Sequence, residues 1–401
     1  MGSKLGVSSR ALQAGAETAF LILGKAKELE AQGKSIIHLE IGEPDFDTPS
    51  YIKEAAIKAL SKGETHYTPT PGIPELRKAI AERTMQDFNV EVDWKDISLT
   101  VGAKEAIFVS LATIVEEGDE VIYPNPGYPA YEAGIRFFGG TPKPLMLKEE
   151  NEFRMTSEEV NSLVSSKTKA IIINSPENPT GSVLSKDDIR GVVEIAKSKG
   201  IYVISDEIYK YIIYDGLKHH SPIQFDSSMQ NTIIIDGFSK SYAMTGWRLG
   251  YIISPKHLTQ PMQKILNLIT SCPSSFSQFA ALEALRGGLG SVKNMVEQYT
   301  TRRKALIEEV SQVEDISMVK PKGAFYGFIN VKNITRKTNL DSSKLASILL
   351  ENYGVAVLHG TAMGSNGEGY LRVSFANSIE NIREGIRRMG NAFKELTSKK
   401  A

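Results

Sequence analysis

The residues best suited to chemistry sit just after apolar runs. Ser239-Lys240 follows residues 232–236, and Met244-Thr-Gly-Trp-Arg248 comes a few positions later. Asp206, Glu207 and Tyr209 follow 202–205. Asn178 lies in Asn174-Ser-Pro-Glu-Asn178-Pro-Thr-Gly181, after 170–174, and Gly102-Ala103-Lys104 follows 97–101. Each has a plain reading alone: the Asp as a helix cap, the Lys as a surface charge, the Gly-Ala pair as a tight turn. Together they suit an aldehyde cofactor with a pyridine ring and a phosphate. A lysine amine condenses with the aldehyde. An acid keeps the ring nitrogen protonated, so that the ring takes up electrons. An arginine, hydroxyls and backbone N–H groups at a helix start hold the phosphate, and neutral donors serve the ring's phenolic oxygen.

Those residues must be placed by strands. The segments 97–101, 120–123, 170–174, 202–205, 232–236 and 249–254 are short apolar runs, several of them continuous, as in strands buried on both faces. Amphipathic stretches separate them. Thr156 and Glu159 form a capping-box pair. Ser185 can cap a helix with Ile189, Val192, Val193 and Ala196 on one face, closed by Gly200. Strand–helix alternation implies a largely parallel sheet covered by helices, and ligands bind beyond the carboxyl ends of such strands. That edge is where the polar residues fall. Towards the C-terminus the pattern changes to a long helix over 299–310, a Gly-rich strand over 323–331, a helix over 342–352 and short strands near Val355 and Leu371. This predicts a smaller α+β unit, which the segment ending at Ile41-Gly42-Glu43-Pro44 joins.

Composition narrows the function classes. The 401 residues carry 47 Lys plus Arg and 47 Asp plus Glu, so no global field favours nucleic acid or an anionic membrane. Cys272 is the only cysteine, which excludes an intramolecular disulfide and a multi-cysteine metal site and fits a reducing, cytoplasmic setting. The basic start MGSKLGVSSR lacks the apolar core of a signal peptide, and no run approaches the length of a membrane helix. No G-x-G-x-x-G follows a strand and opens a helix, and there is no H-E-x-x-H, so a nicotinamide dehydrogenase and a zinc hydrolase are disfavoured.

Six stretches carry a resemblance that covers nearly the whole chain: IGEPDFDTP at 41–49, THYTPTPGIPELR at 65–77, NSPENPTG at 174–181, SDEIY at 205–209, SKSYAMTGWRLGY at 239–251 and YLRVSFA at 370–376. In this order they resemble the class I/II aminotransferases, the fold type I enzymes of pyridoxal 5'-phosphate, and within them the bacterial and archaeal aspartate aminotransferase branch. The resemblance implies an α/β fold, with a large domain at 47–290 holding a mostly parallel seven-stranded sheet. A smaller α+β domain would be built from 1–46 and 291–401. It implies that Lys240 is the Schiff-base lysine, Asp206 the partner of the pyridine nitrogen, and Tyr209 and Asn178 the donors to the phenolic oxygen. Ser239 and Arg248 would hold the phosphate with the Gly102-Ala103-Lys104 backbone, and Tyr128 would stack on the ring. Tyr67 is similar to the tyrosine that reaches the phosphate of the other subunit, which implies a homodimer. Arg372 resembles the arginine that grips the substrate α-carboxylate, with Gly42 and Asn178 beside it. Gly237 stands where many members carry a second phosphate-binding serine.

The implied reaction moves an amino group from an L-amino acid to a 2-oxo acid with ping-pong kinetics. Lys240 carries the α-proton, for which it must be neutral. The substrate stays open. Lys104 either meets a distal carboxylate, favouring aspartate or glutamate, or is an ordinary first-turn residue. In the second case alanine or an aromatic amino acid fits, with Tyr128, Phe325 and Tyr326 lining an apolar pocket. A carbon–sulfur lyase would use nearly the same cofactor residues. A cofactor-sensing regulator would need a DNA-binding module, for which the segment before Ile41 is short.

Overall fold

The computed structural model describes residues 6–8, 10, 11, 18–226 and 228–398. Residues 1–5 of the basic N-terminal stretch lie outside them. Among the described residues thirteen strands follow in chain order: β1 (Ile37–His38), β2 (Ile97–Thr100), β3 (Glu120–Asn125), β4 (Thr141–Met146), β5 (Thr168–Asn174), β6 (Tyr202–Asp206), β7 (Thr232–Gly237), β8 (Gly250–Ile253), β9 (Ser317–Met318), β10 (Tyr326–Asn330), β11 (Val355–Ala356), β12 (Leu358–His359) and β13 (Tyr370–Ser374).

Seven of them form one sheet in the order β2-β8-β7-β6-β5-β3-β4. The β7-β6, β6-β5, β5-β3 and β3-β4 pairs are parallel, and β8 runs antiparallel to both neighbours. Alternate residues of the same strand enter cores on opposite faces. Ala170 and Ile172 pack with the helix Ala103–Ile114, while Ile171 and Ile173 pack with Ile189, Val192 and Val193 of the helix Lys186–Lys199. This double burial is why the strands read as continuous apolar runs. The helix Lys186–Lys199 begins at a Ser185–Asp188 capping box and ends on Gly200 in the left-handed conformation, φ 66°.

The strand of this sheet missing from the sequence reading is β4. Its segment TPKPLM holds two prolines, which cannot donate to a ladder. It lies at the sheet edge, where that loss is tolerated. A second, antiparallel sheet, β12-β13-β10-β9, packs against the helices Gly290–Ser311, Ser342–Tyr353 and Ile379–Ser398. The short pair β1-β11 is parallel. The core of this part runs on to Ile208 and Tyr209, just past β6. Among the described residues no helix is long and apolar enough to cross a membrane, and no group of three or more His, Cys, Asp or Glu could hold a metal ion.

Candidate active site

Strand register brings the polar residues together. Asn174 pairs with Asp206 across β5 and β6, and Asp206 with Ile235 across β6 and β7. Gly237 pairs with Gly250, and Gly250 with Thr100. The carboxyl ends of β5, β6, β7 and β2 therefore lie along one edge. Beyond it opens a cavity of about 530 Å³.

The glycines at this edge let backbone approach backbone. A Cβ on Gly237 would stand 2.9 Å from the Cα of Gly250 and from the carbonyl oxygen of Leu249, and one on Gly250 would stand 2.7 Å from the Ala103 nitrogen. A serine at position 237 would bring its Cβ into these backbone atoms. Gly102 starts the helix Ala103–Ile114 with φ 78°. A Cβ on it would come within 2.5 Å of an Arg248 guanidinium nitrogen. The exposed Arg248 guanidinium, the helix N-terminus and the buried Ser239 hydroxyl thus converge, which is the donor set a phosphate needs.

Asp206 is 4 % exposed. Its carboxylate accepts from the Tyr131 hydroxyl at 2.7 Å and from the Ile208 N–H at 3.3 Å. Burial pushes its pKa up from 3.8 to about 6, against these two hydrogen bonds, which lower it. Among the described residues no cationic side chain forms an ion pair with it. A buried acid of this kind fits a ring cation such as a protonated pyridine.

Asn178 and Arg372 are linked. Asn174 donates to the Asp206 carbonyl at 3.0 Å and accepts from the Asn178 N–H at 3.0 Å, which fixes the turn. Arg372 lies on β13, is 4 % exposed, and donates to the Asn178 side-chain oxygen at 3.1 Å and to the Glu40 carbonyl. Its Nε has no hydrogen-bond partner. The Lys240 Nζ donates to the Gly42 carbonyl at 2.6 Å. The buried Tyr209 hydroxyl lies 2.8 Å from that of Tyr326, and burial holds Tyr209 well above the ordinary phenol value.

Of the residues singled out from sequence, Gly42, Ala103, Lys104, Tyr128, Asn178, Asp206, Tyr209, Ser239, Lys240, Arg248 and Arg372 all face the one cavity. Gly102 adjoins it through Arg248. Tyr67 does not join them; it is 90 % exposed at the surface. Sequence reasoning missed Tyr131, whose ring meets that of Tyr128 edge-on at 5.7 Å. The i, i+3 spacing in Tyr128-Pro-Ala-Tyr131 was the available signal. It also missed the start of the helix Thr18–Ala31, where Thr18, Ala19 and Phe20 line the cavity.

Lys240, Asp206 and Arg248 thus line one cavity at the edge of a seven-stranded, mostly parallel sheet. Residues 34–389 match the family model of aminotransferase class I and II. The chain is 41% identical over 394 residues to the "Probable aspartate/prephenate aminotransferase" of Aquifex aeolicus, covering 98% of this chain and 99% of that one. It is 42% identical over 374 residues to the "Aspartate aminotransferase" of Pyrococcus abyssi, covering 92% and 95%. The solved aspartate aminotransferase of Thermus thermophilus with maleate superposes with a TM-score of 0.91 at 36% identity, over 96% of this chain and 99% of that chain. The protein belongs to the class I and II aminotransferases. It is a pyridoxal 5'-phosphate-dependent aminotransferase of fold type I.

Proposed function

We propose that this protein moves the amino group of L-aspartate or L-glutamate to a 2-oxo acid in two half-reactions. The observation that carries the reading is Arg372: a buried arginine lining the cavity that also holds Lys240 and Asp206. The planar fork of arginine orients a substrate α-carboxylate in a way lysine cannot.

Bound in the cavity, the cofactor supplies an aldehyde carbon and a protonated ring that takes up the electron pair left at Cα. The chain supplies the rest. Asp206 holds the ring-nitrogen proton. Tyr209 and Asn178 donate to the phenolic oxygen, and Tyr128 covers the ring face. Gly102, Ala103, Ser239 and Arg248 bind the phosphate. With the cofactor bound, the Lys240 Nζ would take up and release the proton at substrate Cα; in this structure that amine donates to the Gly42 carbonyl at 2.6 Å. Burial of Arg372 and Asp206 strengthens the charge contacts that these two make.

Lys104 lines the cavity and is exposed; we assign it the distal carboxylate of the substrate. The names of the Pyrococcus and Thermus relatives support aspartate. Apolar lining by Ile41, Leu358 and Met363 favours an aromatic donor as the second reading. Steady-state assays with aspartate, alanine and phenylalanine separate the two. Lys104→Met is expected to lower kcat/KM for aspartate at least about tenfold more than that for alanine, the order of one charge-assisted hydrogen bond. Equal losses for both would remove Lys104 from substrate recognition. A lyase would release ammonia with no acceptor oxo acid present.

We also infer a cytoplasmic homodimer in which Tyr67 reaches the partner's phosphate. Tyr67, Leu268 and Ile269 are exposed at 90, 84 and 48 %, and the Asn267–Thr70 hydrogen bond at 3.0 Å brings their two segments side by side. The division into a large domain at 47–290 and a smaller one at 1–46 and 291–401 belongs to the same reading.

A further inference from the structure

We propose that Tyr326 is a positioning residue whose hydroxyl donates to Tyr209 and so makes Tyr209 a one-way donor into the cavity. The inference rests on the reading that Tyr209 faces the cofactor's phenolic oxygen.

A tyrosine hydroxyl has one proton. The Tyr209 and Tyr326 oxygens are 2.8 Å apart, so one of the two protons lies between them. If Tyr209 gave that proton, it would have none left for the cavity. The cation on the Tyr326 ring favours the opposite direction. The Arg372 guanidinium sits over the Tyr326 ring, 4.6 Å from its centre. A cation on the face of a phenol withdraws electron density and makes its hydroxyl the better donor. Tyr326 thus gives its proton to the Tyr209 oxygen, and Tyr209 is left to give its own to a ligand. Serial hydrogen bonds of this kind polarise one another, each strengthening the next.

The position of Tyr326 is tightly held. A Cβ on Gly42 would stand 2.0 Å from the Tyr326 hydroxyl oxygen, so this hydroxyl packs directly on the backbone whose carbonyl accepts from Lys240. The Tyr209 ring meets the Tyr326 ring edge-on at 5.8 Å and the Phe325 ring at 5.4 Å. Among the described residues, charged groups near the pair include Arg372 from β13, Lys240 after β7 and Asp206 at the end of β6. Tyr326 therefore joins the residue that grips substrate to the residue that serves the cofactor. Their hydrogen bond spans 117 positions of sequence, from the seven-stranded sheet to the second one.

The consequence is spectroscopic. The phenolic oxygen needs an external donor most when the proton shared next to it has left. A stronger Tyr209 donor favours that deprotonated form and lowers the pH midpoint of the cofactor's visible absorption change. Purified cofactor-loaded wild type, Tyr326→Phe, Tyr209→Phe and the double variant are titrated across this midpoint. Tyr326→Phe is expected to raise it by about 0.3 to 0.7 of a pH unit, a roughly two- to fivefold tighter hold on the proton. Tyr209→Phe is expected to raise it further, and the double variant to match Tyr209→Phe, because the relay has then lost its end. Tyr326→Leu, which also removes the ring beneath Arg372, is expected to move the midpoint as much as Tyr326→Phe while raising KM for the amino acid. An unmoved midpoint in Tyr326→Phe, or two single shifts that add in the double variant, would overturn the relay. If Tyr209→Phe shifts and Tyr326→Phe does not, only the relay fails. If neither shifts, the placement of Tyr209 at the cofactor fails with it.

Discussion

Replacing Asp206 by asparagine should stabilise the cofactor-free protein and disable the loaded one. The carboxyl is fully buried, and that burial raises its pKa from 3.8 to about 6. Its ordinary value applies in the unfolded chain. Between the two values the folded state holds the proton and the unfolded state does not, so stability falls as pH rises through this window. Above pH 6 the cost is fully present. The displacement from 3.8 to about 6 corresponds to about 3 kcal/mol, at about 1.4 kcal/mol per pH unit. Asparagine keeps the size and avoids the charge. Its oxygen can accept from the Ile208 N–H and its amide can donate to the Tyr131 oxygen, replacing both contacts of the carboxylate. The assay is denaturant unfolding of cofactor-free wild type and Asp206→Asn from pH 4 to 8. The variant is expected to gain on wild type by up to about 3 kcal/mol as pH rises, reaching a plateau above pH 6. In the loaded enzymes the order should reverse, because the ring cation that offsets the wild-type charge gains nothing from asparagine. A variant less stable than wild type without cofactor at pH 8, or a difference independent of pH, would refute the argument that the buried charge awaits a cation.

Three further outcomes follow from the geometry. Arg372→Lys removes a fork held by Asn178 and the Glu40 carbonyl and should lower kcat/KM about 10- to 100-fold in both half-reactions; single-turnover kinetics check this. Gly237→Ser places a Cβ 2.9 Å from the backbone of Gly250 and Leu249, so it should weaken cofactor binding rather than add a phosphate contact, as read by cofactor titration. His38, paired with Glu40 at 2.8 Å and Glu30 at 3.0 Å, has its pKa raised by the Glu40 contact first. Its contribution is complete below 6.5 and lost as pH rises through the folded value, so the melting-temperature difference between wild type and His38→Gln should shrink from pH 6 to pH 9.

Much of the site was readable because parallel strands end together. Once 97–101, 170–174, 202–205 and 232–236 are strands, Gly102, Asn178, Asp206 and Lys240 must share one edge. Arg372 was readable in a different way, from its alternation with Leu371 and Val373 on β13. What escaped was set by contacts that sequence does not display. Strand β4 was hidden by its prolines, which mark a loop in isolation and an edge strand in context. Tyr131 is buried, and its hydroxyl donates to the Asp206 carboxylate across 75 positions of sequence, a contact no local pattern displays. The helix Thr18–Ala31 carries exposed Phe20 and Leu21, so its apolar residues do not follow a single buried face, and nothing local indicates that its start lines the cavity.

The most direct test of the account is a half-reaction. Purified enzyme loaded with pyridoxal 5'-phosphate is mixed with L-aspartate and no oxo acid, and the cofactor's visible band and the released oxo acid are followed together. The account expects the band to convert to the pyridoxamine form with one oxo acid released per active site, and no conversion in Lys240→Ala. A band that survives excess aspartate, glutamate, alanine and phenylalanine, or conversion at the wild-type rate in Lys240→Ala, would contradict the roles assigned here to Lys240 and the cavity around it.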